Sequence, residues 1–560
     1  MKILLENFLH DFRFSTTFTV WKINQVLSPF DCGSVMPNKN DDLYQAAQIA
    51  IHQGQYEHAY HSLMSILSSD KNFVDAYFLL ARIAGEYKNH RKEQELLEKA
   101  CSLDAQNSEY FAALAKSHAI QGEMNNAFLL AEHAAKMENH NAMSADTLGI
   151  VYGRLSLHEE ASKWFLRATD IEKSNPGIYF NLGSTLKFCG DFEGARRAFE
   201  QAISLNFTFY KAHAALTSLG GITLENNHVG TLKFLLHGIT NDDDYLYISH
   251  ALSKELEAVK RYPESFSALT AGKQRKLNNI NYQFPDDAQT FAALENHFAK
   301  KELNSASGYS HKGSIFVVGM PRSGTTLVER IISSHSKAAT AGELHSIPVI
   351  VKSLLNNQSG TLVDKALIAS ADKLDYELVG KTYIQNTQHL NKGKEFLVDK
   401  LPLNALYAGF IINALPEAKV ICLDRNPLDT IVSNYRQLFS FHDVTYAYSL
   451  SLASAAHYYV GFKKLMNFWA AKYPKNFYVI NYENLVSSPE TEVKKLLEFC
   501  GLEWDPACLL IENNKNPVAT ASSVQVRKPI SDTSVGQWKL YDEFLDEAKQ
   551  ILLASGITFE

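Results

Sequence analysis

Cysteine, long apolar runs and excess positive charge are all scarce in this chain. The 560 residues hold six cysteines (Cys32, Cys101, Cys189, Cys422, Cys500 and Cys508), with no CxxC pair. That sparseness argues against a disulfide framework or a zinc ribbon and for reduced, partly buried thiols. No stretch approaches 18 consecutive uncharged apolar residues, so hydropathy gives no candidate transmembrane helix. The formal charge of −7 leaves no general footprint for nucleic acid, and any basic site must be local. The opening Met1-Lys2-Ile3-Leu4-Leu5 is broken by Glu6 before a signal-peptide core can form, so the expected location is cytoplasmic, with no membrane partner. Residues 1–35 fit no repeat and read either as an ordered cap or as a product of start-codon choice, since Met36 opens the next segment of the chain.

What is present is an ordinary globular composition, 46% apolar and 21% charged, in a chain long enough for two or more domains. In the first half a period of 34 residues emerges. Gly54, Gly122 and Gly190 share one phase, with Lys88 and Ser156 between them. Leu80, Leu114, Leu148 and Leu182 share another, and Ala59, Ala127, Ala161 and Ala195 a third, with Glu93 as its exception. About five repeats fill roughly 43–212, and a weaker one keeps the same offsets at Leu252, Tyr262 and Ser265. Small residues where two helices cross, with a turn residue between them, resemble the tetratricopeptide repeat. The resemblance implies an α-solenoid with a concave groove for a peptide or protein. The polar stretch 267–312, with Lys273-Gln274-Arg275-Lys276, reads as a connection whose basic run is a solvated face.

From 313 onward short apolar strands alternate with helices: Ile315–Gly319, Phe396–Val398, Lys419–Asp424 and Phe477–Asn481, with helices near 325–335, 402–414, 427–440 and 489–500. This predicts a mainly parallel sheet covered by helices, with ligands at the C-terminal strand ends. The first strand runs into Gly319-Met320-Pro321-Arg322-Ser323-Gly324-Thr325-Thr326, a glycine-bracketed turn before a helix and thus the sequence form of a phosphate-binding loop. An ATP or GTP loop would carry lysine after the second glycine. Thr325 stands there, and the donor expected is some other phosphate-bearing compound.

That loop resembles the 5′-phosphosulfate loop of sulfotransferases that use 3′-phosphoadenosine-5′-phosphosulfate (PAPS). Leu423-Asp424-Arg425-Asn426-Pro427, with Ser433 eight residues past Arg425, resembles their 3′-phosphate segment. Gly342-Glu343-Leu344, Asp399-Lys400-Leu401-Pro402, Tyr482-Glu483-Asn484 and Ser522-Ser523-Val524-Gln525-Val526-Arg527-Lys528-Pro529, with Trp538 beyond, resemble further segments of protein-tyrosine sulfotransferases. Bacterial proteins that join tetratricopeptide repeats to such a domain are similar in layout. Two departures stand out: Gln537 replaces a lysine before the tryptophan, and Gln437 an arginine past the serine, with Arg436 adjacent.

The resemblance implies a P-loop-like three-layer α/β domain behind an α-solenoid, divided as an N-terminal extension 1–42, an array 43–278, a linker 279–312 and a sulfotransferase domain 313–560. It implies in-line sulfuryl transfer from PAPS to a hydroxyl, first of all tyrosine in a peptide or protein, leaving the 3′,5′-bisphosphate PAP and using no metal. Sulfation of a carbohydrate or small phenol, and a non-catalytic nucleotide-binding scaffold, are the alternatives. Glu343 is the expected general base with His345 as rival. Arg322, Lys400 and Ser522 (or Ser523) are expected to stabilise charge. Arg322, Ser323, Gly324, Thr325, Thr326, Arg425, Ser433, Tyr482, Arg527 and Lys528 are expected to hold the nucleotide. Oligomeric state and the partner of the groove are left open.

Overall fold

The computed structural model describes residues 39–300, 308–441 and 444–559; the stretch 1–38, with Cys32, lies outside them. They fall into two compact units, one through Tyr110 and one from Phe111 onward. From 39 to 205 the chain runs as five successive helix pairs, the last being α1 (Pro176–Cys189) and α2 (Phe192–Leu205). The 34-residue phase has a backbone cause. Gly54, Gly122 and Gly190 take φ of +72°, +80° and +91°, the left-handed turn that ends a helix cheaply only at glycine. Lys88 and Ser156, at the same phase, adopt +56° and +61° despite their side chains. Lys260 does so at +61° in the weaker repeat. Ala59, Ala127, Ala161 and Ala195 are wholly buried at the crossings. At the exceptional Glu93 the opposing residue is Gly85, where an added Cβ would come within 2.9 Å of the Glu93 carboxylate.

Two further helices form a hairpin, α3 (Asp242–Ala258) and α4 (Tyr262–Leu277), closed by Ser253 and Ser265 hydroxyls 2.9 Å apart. Here the sequence expectation for 273–276 needs correction. Lys273 is 1% exposed and Arg275 is paired with Asp242; only Gln274 of the four is well exposed. The connection after the hairpin contains α5 (Phe284–Ala299), whose Phe291, Leu294 and Phe298 are buried in the core of the α/β domain against Tyr458, Phe410 and Trp469.

The sheet has five strands, β1 (Ser314–Gly319), β2 (Ala338–Gly342), β3 (Phe396–Lys400), β4 (Lys419–Asp424) and β5 (Phe477–Asn481), in the order β2-β3-β1-β4-β5 with every pairing parallel. β1 is central and buried along its whole length. Its Phe316 and Val318 enter one core and its Ile315 and Val317 the other, the alternation that a strand covered on both faces requires. The strand order reverses at β1, so the crevice at its C-terminal end is where a parallel sheet places a ligand. Two helices expected from sequence differ in detail. The one near 402 begins as a 3₁₀ stretch, Pro402–Tyr407, and α7 (Pro427–Tyr435) stops well short of 440. The helix after β1, α6, covers Thr325–Ser333. Among the described residues no helix is long and apolar enough to cross a membrane.

Candidate functional site

All five strands end on a residue singled out by the sequence. β1 leads into the loop 319–324, β2 into Glu343, β3 finishes at Lys400, β4 precedes Arg425 and β5 precedes Tyr482. Register fixes their spacing: Gly342 lies opposite Asp399, Lys400 opposite Val317, and Leu423 opposite Gly319.

The loop is wound for close approach. Arg322 sits in the left-handed region at φ +65° and Gly324 at +110°. A Cβ on Gly324 would come within 2.6 Å of the Tyr482 ring, so glycine there lets the ring lie against the loop. α6 starts at Thr325 with no side-chain cap, leaving first-turn N–H groups to an incoming acceptor. The buried Ser323 hydroxyl and the Arg425 Nε have no hydrogen-bond partner.

Arg425 is 8% exposed, its guanidinium 4.5 Å from the centre of the Tyr482 ring. It donates to the Arg322 carbonyl at 3.1 Å and to the Ser534 carbonyl. Asp429, one turn into α7, accepts from the Gly536 and Trp538 amides at 2.7 and 2.9 Å. The segment 511–536 is thereby tied down at one end, while Arg330 of α6 donates to the carbonyls of Ile511, Asn514 and Asn516 at the other. In between, Arg322 donates to the Ser522 hydroxyl and to the Gln525 side chain. Ser522 therefore faces the loop, while Ser523 is buried.

These elements enclose a cleft of ≈ 440 Å³ lined by Arg322, Gly324, Thr326, Arg425, Ser433, Tyr482, Ser522 and Lys528 among others. Gln437 and Gln537, the two departures, line it too. Burial first, and then the nearby Arg425 and Arg436, push the Arg322 guanidinium down to about 10. Arg527 does not line this cleft; it donates to the Phe188 carbonyl at the end of α1.

Glu343 and Lys400 are brought together beside the cleft rather than into its lining. The Lys400 ammonium, wholly buried, donates to the Glu343 carboxylate and lies 3.9 Å from that of Glu329. Burial raises Glu329 despite Lys400, and burial pushes Asp399 up to about 8, although the Tyr383 phenol donates to it at 3.0 Å. His345 is exposed at the start of the next helix. A second cavity of ≈ 240 Å³ borders this group through Glu329, Thr340 and Gly342, and also takes in Ser156 to Glu160 of the helical array and 516–520 of the closing segment. The hydroxyls of Thr326, in the first cavity, and Thr520, in the second, are 3.4 Å apart where the two meet.

Sequence reasoning missed Glu329, which no motif marks, and Lys254 and Glu257 of α3, which line the first cleft beside Arg436. Their signal is tertiary, from a helix far upstream in the chain. Among the described residues no group of His, Cys, Asp and Glu could hold a metal ion.

Residues 314–506 match the model of the sulfotransferase family, and residues 74–107 and 176–209 that of the tetratricopeptide repeat. An uncharacterized protein of Aquifex aeolicus (strain VF5) is 30% identical over 409 residues, covering 70% of this chain and 52% of the relative. A protein-tyrosine sulfotransferase of Drosophila melanogaster is 23% identical over 255 residues, 40% of this chain and 46% of that protein. The chain thus spans about half the length of these two relatives. Among solved structures, the sulfotransferase domain of the Synechococcus PCC 7002 olefin synthase aligns with 46% of this chain and 100% of its own, at 18% identity and a TM-score of 0.32. From β1 onward, residues 314–506 form a domain that matches the sulfotransferase family, and tetratricopeptide repeats lie ahead of it.

Proposed function

We propose that this protein transfers a sulfuryl group from PAPS to a hydroxyl acceptor, with tyrosine in a peptide or protein as the acceptor. The observation that carries the donor half is the surplus of positive charge in one cleft, next to an uncapped helix N-terminus. Five cations, Lys254, Arg322, Arg425, Arg436 and Lys528, face a single lining carboxylate, Glu257. Such a cleft suits a ligand with two separated anionic groups. The amides from Ser323 to Thr326 and Arg322 suit the phosphosulfate, Arg425 and Ser433 the 3′-phosphate, and Tyr482 the base. The partnerless Arg425 Nε is a donor in reserve for that role.

Bound there, PAPS supplies the sulfuryl group, which leaves the 5′-phosphate oxygen as a new S–O bond forms to the acceptor oxygen. Glu343 takes the acceptor's proton, for which its carboxylate must exchange the Lys400 ammonium for the acceptor hydroxyl. Lys400 and Arg322 then offset the charge left on the departing phosphate. The second cavity, bordered by Gly342 next to Glu343 and by the turn 156–160 of the array, is the acceptor's approach. The repeats present the acceptor there. Tyrosine rests on the likeness of the Glu343, Lys400 and Tyr482 segments to tyrosine-sulfating enzymes and on the Drosophila relative's name.

The test is incubation of the full chain with labelled PAPS and, separately, tyrosine peptides, glycans and small phenols, locating the label by mass spectrometry. Sulfotyrosine is the expected product. Label on glycan or phenol alone would move the acceptor, and tight PAP binding without transfer to any class would leave a scaffold.

A further inference from the structure

The hairpin α3–α4 is fastened to the stretch of chain that carries Ser433 and Arg436. The hydroxyls of Thr270 and Tyr435 are 2.8 Å apart, and Lys273 donates to the carbonyls of Gln437 at 3.2 Å and Ser449 at 2.8 Å. The Phe266 ring stacks on Phe544 with centres 4.0 Å apart. Docked in this way, α3 turns Lys254 into the cleft that Arg322, Arg425 and Tyr482 also line. The Lys254 side chain is 34% exposed, and its ammonium is 3.6 Å from the Glu257 carboxylate, one turn along α3. Glu257 in turn binds the Arg436 guanidinium. One carboxylate is thus shared by two cations from different parts of the chain. Desolvation in the enclosed cleft, more than the nearby Arg436 and Arg322, lowers the Lys254 ammonium to about 8, with Glu257 opposing the shift.

We infer that Lys254 is a donor-binding residue supplied by the helical array, forming with Arg436 a second cationic clamp on the anionic groups of the nucleotide. The inference rests on the PAPS reading above and adds a ligand that the α/β domain alone lacks. The donor is favoured over the acceptor as its ligand because Lys254 shares a cleft with Arg425 and Ser433. The second cavity, beside Gly342, has no residue of α3 in its lining. Glu257 is a positioning residue here: it holds Arg436 and Lys254 at one edge of the cleft.

Calorimetry of the full chain with adenosine 3′,5′-bisphosphate, at low and moderate salt, tests this. Failure of the unaltered protein to bind would overturn the PAPS reading and this inference together. If it binds, Lys254→Gln should weaken binding about tenfold, the scale of one charge-assisted hydrogen bond, with a shallower salt dependence. Lys254→Arg should keep most of the affinity. An affinity for Lys254→Gln within twofold of the unaltered protein, while Arg425→Ala binds poorly, overturns the inference and leaves the PAPS reading standing. The inference also fails if both Lys254 variants lose affinity equally along with thermal stability, which would mark a packing role. A rise in acceptor KM alone would give Lys254 to the acceptor instead.

Discussion

Arg425 and Lys254 bring positive charge to the same cleft by different routes. Arg425 follows a strand whose register with β1 is set by five paired residues, and its guanidinium is pinned by carbonyls and an aromatic ring close by. Lys254 depends on a helical hairpin docking correctly on a distant segment. The first arrangement is local and readable as a motif. The second is a product of packing, and no short stretch of sequence announces it. A site built at strand ends can therefore be completed by an element that looks like an accessory.

The strand-end half of this contrast is probed most strongly at a residue that belongs to it wholly. Glu343→Ala should lower turnover by roughly 10²-fold or more, the range of general-base catalysis, while calorimetry shows bisphosphate affinity almost unchanged. Near-normal turnover would move the base to His345. Arg425→Ala comes next. It removes the fork proposed for the 3′-phosphate and should weaken bisphosphate binding by about 10- to 100-fold in the same calorimetric titration.

On the array side, Lys273→Met should leave the carbonyls of Gln437 and Ser449 without their donor and cost about 2 kcal/mol of stability. Chemical denaturation would read this. A variant as stable as the parent would mean that the hairpin is held by its other contacts, the Thr270–Tyr435 hydroxyl pair and the Phe266–Phe544 stack.

The last test concerns pH. Asp399 has a folded-state carboxyl raised to about 8 by burial, so between pH 4 and 8 the folded chain holds a proton that the unfolded chain has released. Stability from this group is present in acid and falls as pH rises through that window, by at most about 1.4 kcal/mol per pH unit. Asp399→Asn keeps an acceptor for Tyr383 and should flatten the slope of the thermal midpoint against pH. An unchanged slope would place the proton on Glu329, whose carboxyl burial also raises.

How far the fold can be read from sequence follows the same division. The 34-residue phase was legible because one left-handed turn recurs, even where lysine or serine occupies it. Four strands were legible from β-branched and aromatic runs. β2 was not, since Ala338-Ala339-Thr340-Ala341-Gly342 carries almost no strand propensity and lies at the sheet edge, with a register shift near its end. The Arg322, Arg425 and Tyr482 positions could be read because strand–turn–helix geometry is local. The burial of Lys273 could not, since a lysine in a polar run looks solvated until its two carbonyl partners are known. Ser522 and Ser523 were indistinguishable in sequence and are separated only by which one Arg322 reaches.

The Phe188 carbonyl, in the last turn of α1, accepts from both the Val518 amide at 2.8 Å and the Arg527 guanidinium at 3.0 Å. The next turn residue, Gly190, leaves no room for a Cβ beside that guanidinium, with the nearest atom 2.5 Å away. Repeats are commonly treated as interchangeable modules, but this one is keyed to the segment that closes the cleft. A chimaera that exchanges the repeat at 176–205 must reproduce both the carbonyl and the bare glycine. Otherwise the segment at 518–527 loses a fixed point, and the modularity of the array stops at its fifth pair.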